Sequence, residues 1–302
     1  MPSADLTADI SAGLSADLAL APAAPAPGTA ESAHERGSAR LVSRIATTAS
    51  NWFDRSIVLL VIVAIWEIAP RLELTDPAFL PPLSEVLRAG WELALNGQLA
   101  EHTGASLMRV GVGFAISLLY AIPLGLAIGW YPRVARLLNP LIEILRNTAP
   151  LALLPVFILL LGIGEVSKIS LVVFSCSWPL LLNTIAAVQQ VDPLLIKSAR
   201  TMGATPLQLF TKVILPGSVP TIFVGVRLAS AAAVLVLVAS EMVGAKAGLG
   251  FLIIYSQYNF QVAQMYFGIL GITGIGLTFN WVLVWLERRL TGWRPATEGK
   301  KQ

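Results

Sequence analysis

The chain is short of charge, of histidine and above all of cysteine, and each shortage removes a class of explanation. Only 13% of its 302 residues are charged, against about a quarter in soluble domains. Together with 55% hydrophobic residues and a mean hydropathy of +0.71, that excludes a water-soluble globule and points to an integral membrane protein. Cys176 is the single cysteine, so neither an intrachain disulfide nor a cysteine-based metal cage is possible. It stands in an apolar run between Ser175 and Ser177, where it reads as a small buried residue. His34 and His102, the two histidines, fall in an N-terminal tail and in a connecting segment. They support neither a histidine metal site nor a Ser-His-Asp arrangement. No Gly-x-x-x-x-Gly-Lys-Ser/Thr loop is present; Gly244-Ala-Lys-Ala-Gly-Leu-Gly250 is glycine-rich but differently spaced, and reads as a turn. No cofactor and no bond-making chemistry is therefore expected. The net charge of +3 is scattered between apolar runs, and without a basic stripe nucleic acid is not an expected partner.

What the chain does have is long apolar runs. A spanning helix needs about 20 predominantly apolar residues. Runs of that kind lie near Trp52 to Pro70, Gly104 to Trp130, Ala135 to Gly162, Ile169 to Gln189, Ser218 to Val243 and Tyr266 to Leu286. The fold class is thus all-α and polytopic, with about six transmembrane helices. In the third run Pro140, Pro150 and Pro155 interrupt the helix, which predicts a surface helix leading into a kinked span. Residues 1–45, rich in Ala, Pro and Ser with Asp5, Asp9 and Asp17 interspersed, are expected to be a retained disordered tail rather than a signal peptide. Residues 46–294 form the membrane domain, and 295–302 a second tail.

Lys and Arg concentrate in alternate connections. With the N-terminus inside, the inner segments hold Arg36, Arg40, Arg44 and Arg55, then Arg133, Arg136 and Arg146, then Lys197, Arg200 and Lys212, then Arg288, Arg289, Arg294, Lys300 and Lys301. The outer side holds Arg71, Arg88, Lys168 and Lys246. This asymmetry predicts that both termini are cytoplasmic. The segment Leu72 to His102, with an amphipathic stretch around Val86 to Leu95, falls on the outer face.

Between two apolar runs sits a polar segment, Asp192 to Pro216, punctuated for a two-helix elbow. Asp192 caps the first helix with Pro193 at its first position, Gly203 supplies a left-handed stop, Thr205-Pro206 starts a second short helix, and Pro216 is expected to close it. The charge pattern puts this elbow in the cytoplasm, where a partner can grip it.

These residues carry a resemblance. Ala199 and Gly203, with Ile214-Leu215-Pro216 ending thirteen residues after the glycine, resemble the "EAA" cytoplasmic loop of ATP-binding-cassette importer permeases. Pro150-Leu-Ala-Leu-Leu-Pro155, Gly162-Ile-Gly-Glu-Val-Ser-Lys168, Trp178-Pro-Leu-Leu-Leu-Asn-Thr184, Gly225-Val-Arg-Leu-Ala229 and Ala239-Ser-Glu-Met-Val243 look like the aliphatic sulfonate, taurine and nitrate branch. The motif's leading Glu-Ala is Lys197-Ser198 here. The resemblance covers Trp52 to Trp293 and implies a type I importer permease fold in the bacterial inner (plasma) membrane. It further implies cassette ATPase subunits on the cytoplasmic side, a periplasmic or extracellular solute-binding protein, and a second copy of the chain. By that resemblance Lys197, Ser198, Ala199, Arg200, Met202, Gly203, Ala204, Leu215 and Pro216 form the ATPase-coupling surface. The solute order is sulfonate or taurine, then nitrate or bicarbonate, then a vitamin precursor. Two other classes share the composition: an ion-coupled secondary transporter, which should show inverted repeats, and a membrane subunit without a pore.

Ionisable and polar groups inside the runs carry two readings each. Glu67 and Arg227 are expected to pair within the bundle, while Arg109 and Arg146 are expected to reach headgroups from span ends. Ser175, Ser177, Asn183, Thr184, Ser240 and Glu241 give the fourth and fifth spans a polar side, which suits either translocation-path lining or hydrogen bonding between helices. Gly271, Gly274 and Gly276 suit close helix packing.

Overall fold

The computed structural model describes residues 57–290. The chain divides into two compact units at Ile65 and Trp66. In the first, residues 57–65 are helical, in keeping with the inner part of the expected first span; Trp52 to Ser56 and both tails lie outside the described residues. The second unit contains everything that follows.

All regular elements among the described residues are helices. They are α1 (Leu83–Leu95), α2 (Gln98–Trp130), α3 (Pro132–Arg146) and α4 (Leu154–Leu161), then α5 (Glu165–Gln189), α6 (Pro193–Thr201), α7 (Pro206–Leu209) and α8 (Leu215–Met242), then α9 (Leu249–Tyr258) and α10 (Val262–Leu290). Among the described residues, four helices are long and apolar enough to cross a membrane: α2, α5, the continuous α7–α8 rod Pro206–Met242, and α10. A fifth crossing exists if α3 and the Pro150–Leu161 stretch count as one span bent by 85°. The expected kink in the third run is therefore a near right angle. Pro150 produces it, because the residue before a proline avoids helical backbone, and Ala149 there is extended (φ −65°, ψ 119°).

The core lies where α2, α5 and α8 meet. Val110, Phe114 and Ala121 of α2, Val172, Cys176 and Leu180 of α5, and Val226, Ala229, Ala233 and Leu237 of α8 are all buried in one cluster. Lipid tails are as apolar as leucine, so close van der Waals contact and hydrogen bonds, more than exclusion of water, hold such helices together. Sequence spacing provides that closeness. Gly113, Ser117, Ala121, Gly125 and Gly129 recur every four residues and form one smooth stripe on α2. A methyl group added at Gly113, Gly125 or Gly129 would come within 2.8, 2.7 and 2.7 Å of Val172, Thr184 and Val188 on α5. The Ser117 hydroxyl, on the same stripe, donates to the Gly113 and Val173 carbonyls.

Two expectations need correction. Pro216 does not close the elbow's second helix. Residues Phe210–Ile214 form a π-helical turn that runs straight into α8, with Pro216 in the first turn of the latter. The wider turn relieves the clash between the proline ring and the carbonyl one turn back. The elbow's second limb is therefore the lower end of a spanning rod. The second correction concerns Leu249 and Gly250, read as the end of a turn, which instead open the short apolar helix α9. Leu249 and Leu252 of α9 pack with Leu93 of α1 and Ile275 of α10, which seats α1 and α9 beside α10.

Candidate functional site

The elbow is built by local chemistry at every turn. Asp192 Oδ1 accepts the Leu194 N–H at 2.8 Å, occupying one of the orphan donors at the start of α6. At the far end Gly203 has φ +78°, its N–H reaches the Arg200 carbonyl at 3.0 Å, and the Ala204 N–H reaches Ala199 at 3.1 Å. That pair of bonds closes a helix on a left-handed residue, which glycine adopts without steric cost. Thr205 then forms a reciprocal capping box with Gln208, with bonds of 3.0 and 3.3 Å. Both helices are thus tied off within three residues of each other.

Apolar contacts fix the elbow to the bundle. Val188 and Val191 at the end of α5 bury against Ala199, Leu209 and Ile214, and Trp130 of α2 lies 5.8 Å from the Phe210 ring. Of the nine residues assigned to a coupling surface, Lys197, Ser198, Arg200, Met202 and Gly203 are exposed. Ala199 is buried, and Ala204, Leu215 and Pro216 are half-buried, so these four support the knob from beneath. The residue types at the top also include Leu194, Leu195 and Leu207, all well exposed beside Met202. Sequence reasoning missed these leucines. Their signal was an apolar side chain on the outer side of an otherwise polar helix, which marks a contact surface.

At the opposite end of α5 and α8 lies a buried ion cluster. Arg109 of α2 is 3% exposed and donates from all three guanidinium nitrogens. Nε and Nη2 donate to the two oxygens of Glu165 at 2.5 and 2.7 Å, and Nη1 donates to Glu241 at 2.6 Å and to the Ala247 carbonyl at 2.7 Å. Glu241 also accepts from the Ser106 hydroxyl and from the Gly250 N–H, each at 2.9 Å. Its carboxylate therefore sits on the N-terminus of α9, where helix amides and dipole favour an anion. The neighbouring amides are taken up too, Leu249 by Ser106 and Gly248 by His102 Nδ1. Lys168, also buried, donates to the Gly164 and Gly244 carbonyls. Two cations and two carboxylates thus join α2, α5, α8 and the 244–250 turn.

This cluster changes the reading of several residues. Arg109 does not reach out to headgroups, because two carboxylates hold it inside the bundle. Lys168 and His102 are buried at the same end of the bundle. Arg146 pairs on the surface with Glu143 at 2.7 Å. Arg227 pairs with Glu287 at 3.2 Å, as expected, whereas Glu67 pairs with Arg71 and accepts the Ser84 N–H at 3.0 Å on the surface rather than within the bundle. Ser175, Ser177, Thr184, Ser240 and Glu241 are buried within this chain and Asn183 is half-buried. Thr184, Ser240 and Asn183 bond to the backbone of their own helices, and Ser177 bonds to Val173 and to Tyr120 of α2.

An all-helical polytopic chain with a capped, projecting elbow in line with a span has the architecture of a transporter membrane subunit. The chain belongs to the family of binding-protein-dependent transport system inner membrane components, whose model matches residues 121–292. It is 35% identical over 240 residues to the taurine transport system permease protein TauC of Escherichia coli (strain K12), covering 78% of this chain and 87% of that protein. It is 33% identical over 249 residues to the putative aliphatic sulfonates transport permease protein SsuC of Bacillus subtilis (strain 168), covering 82% of this chain and 90% of that protein. In fold it is similar to a chain of the MetNI methionine ABC transporter solved in inward-facing conformations, with a TM-score of 0.55 at 19% identity, over 66% of this chain and 98% of that one. The protein is accordingly a multi-pass membrane permease and not itself a catalyst; ATP hydrolysis belongs to separate subunits. Family membership sets aside the ion-coupled secondary transporter.

Proposed function

We propose that this chain is the membrane subunit of an ATP-binding-cassette importer for a small anion, an alkanesulfonate or taurine, working as a homodimer in the bacterial inner membrane. A nitrate-like anion is the next reading, and a vitamin precursor the third. In this account the membrane domain is 46–294, both termini and the elbow are cytoplasmic, and a solute-binding protein delivers the anion at the end that holds the ion cluster. The charge asymmetry supports that orientation.

The observation that carries the proposal is the continuity of the elbow with a span. Because α7, the π turn and α8 are one rod from Pro206 to Met242, a push on the exposed elbow becomes a tilt of the rod, and closure of an ATPase dimer is such a push. Lys197, Ser198, Arg200, Met202 and Gly203 form the proposed contact, with Ala199, Ala204, Leu215 and Pro216 as its base. For Ser175, Ser177, Asn183, Thr184, Ser240 and Glu241, burial and bonds inside one chain support a packing role over path lining. Labelling tests the orientation. Ser198→Cys should react with an impermeant maleimide only in inside-out vesicles, and Gln98→Cys only in right-side-out spheroplasts; the opposite pattern would put the elbow on the wrong side for an ATPase.

A further inference from the structure

A cavity of about 560 Å³ opens between α8 and α10, lined by Arg227, Ser230, Ala231, Thr273 and Asn280 together with apolar side chains. It lies along stretches of both helices that are otherwise apolar, where any polar group facing hydrocarbon must find its partner inside the protein. Ser230 and Thr273 do so, donating to the Arg227 and Ile269 carbonyls at 2.8 and 3.0 Å. Arg227 and Asn280 do not. Arg227 is 39% exposed and meets Glu287 through Nη2 alone, at 3.2 Å to each carboxylate oxygen. The rest of its guanidinium fork has no acceptor among the described residues, in contrast to Arg109, which donates from all three nitrogens to two carboxylates and a backbone carbonyl. Asn280 is exposed on the same cavity wall, and its amide likewise has no partner among the described residues. A half-used guanidinium and an unused carboxamide cannot rest against acyl chains without a large penalty. This wall of the protein is therefore wet or liganded, and its chemistry is cationic with additional N–H donors, the set that recognises a small planar or tetrahedral oxyanion.

We propose that the groove between α8 and α10 is an oxyanion station on the solute route, with Arg227 as the attracting cation, Asn280 as the second donor, and Glu287 as the tethered carboxylate that holds Arg227 when no anion is bound. This rests on the permease reading and adds to it the place and charge of one contact. Glu287 stands near the end of α10, so an arriving anion takes over the Arg227 donors and releases the α8–α10 clasp. A lipid phosphate shares this chemistry. Arg227 lies near the middle of α8 but meets Glu287 near the end of α10, so competition by methanesulfonate and by phosphatidylglycerol separates the two sources.

Charge-selective modification of the full chain, reconstituted in phosphatidylcholine vesicles, tests the site. Ala231→Cys and Thr273→Cys place thiols in the cavity, while Cys176 is fully buried and serves as the unreactive background. The ratio of modification rates for the anionic 2-sulfonatoethyl methanethiosulfonate over its trimethylammonium analogue should be roughly tenfold higher with Arg227 than with Arg227→Gln. Arg227→Lys should retain most of that ratio, and Glu287→Gln should raise the anionic rate. Millimolar methanesulfonate should protect both thiols only when the cation is present. A ratio unaffected by Arg227→Gln overturns the proposal. Protection by added phosphatidylglycerol but not by methanesulfonate overturns it in favour of a lipid headgroup site. The ratio is read without ATP or partner subunits. Failure of the chain to associate with an ATPase would therefore sink the permease reading while leaving the groove intact, and loss of the ratio alone would do the reverse.

Discussion

The two ends of the central bundle are held by opposite chemistries. At one end the buried Arg109, Lys168 and Glu241, with the exposed Glu165, hold four segments together, through bonds of 2.5 to 2.9 Å at Arg109 and Glu241. At the other, the charges of the elbow point outward and only Val188, Val191, Ala199, Leu209 and Ile214 are buried beneath it. Buried ion pairs are directional and tolerate no sliding, because a separated partner is left as an uncompensated charge. Apolar contacts let one surface shift against another at small cost. This contrast suits the proposed coupling, in which the ion end stays fixed while the elbow end shifts.

The largest effect should come from halving the ion cluster. Arg109→Ala leaves Glu241 buried with its chief counter-charge gone and should destabilise the detergent-solubilised chain by about 3–5 kcal/mol, read by thermal unfolding. Arg109→Met combined with Glu241→Gln should cost less than the two single changes added together, since the charges act as a pair. Additive losses would break the comparison, because the end would then be held by something other than the pair.

Next comes Gly248, where φ is +125° and an added methyl would lie 2.5 Å from the Glu241 carboxyl carbon. Gly248→Ala should cost about 1–3 kcal/mol from backbone strain alone, more once the carboxylate is displaced. Gly203 makes the informative partner to this experiment. It too has positive φ, yet a methyl added there meets nothing within 4 Å, so Gly203→Ala should cost only about 1–2 kcal/mol. Equal losses at the two glycines would erase the distinction between a fixed end and a movable one.

The contrast also explains what could be read from the sequence. The elbow was legible because its determinants are local: Asp192 before Pro193, Gly203 at the stop, and Thr205 three residues before Gln208 each act on backbone groups within a turn. Apolar length likewise predicted the four spans found among the described residues, to within a few residues at most ends, and the bent third run as a fifth. The ion cluster was not legible as a cluster, because pairing of Arg109 with Glu165 and Glu241 is a fact about how three helices meet. Arg109 at the end of an apolar run looks the same whether it snorkels or pairs. The one available signal was that Glu241, inside such a run, required a cation from another span. Helix α9 was missed because ten largely apolar residues carry neither the length of a span nor a one-sided pattern. Pro216 misled because a proline that usually ends a helix is also at home in the first turn of the next, and here a π turn joins the two.

The smallest effects on stability should come from the exposed tips. Lys197→Ala and Arg200→Ala should change unfolding by no more than about 0.5 kcal/mol while lowering co-purification of the cassette ATPase. Leu194→Ala and Leu207→Ala should do the same, which would sharpen the comparison by showing that the leucines belong to the contact. Unchanged ATPase recovery in all four variants would mean that the partner grips elsewhere.

The central claim, that the elbow transmits work while the ion end stays fixed, is tested most directly by Gly203→Val in the complex reconstituted with its ATPase and binding protein. The measurement pairs the ATPase-to-permease ratio after purification with solute-stimulated ATP hydrolysis, against Asn96→Ala as a control remote from the elbow. The account predicts normal membrane insertion and normal solute affinity of the binding protein, with both association and stimulated hydrolysis reduced together. Full association and full stimulated hydrolysis in Gly203→Val would contradict it.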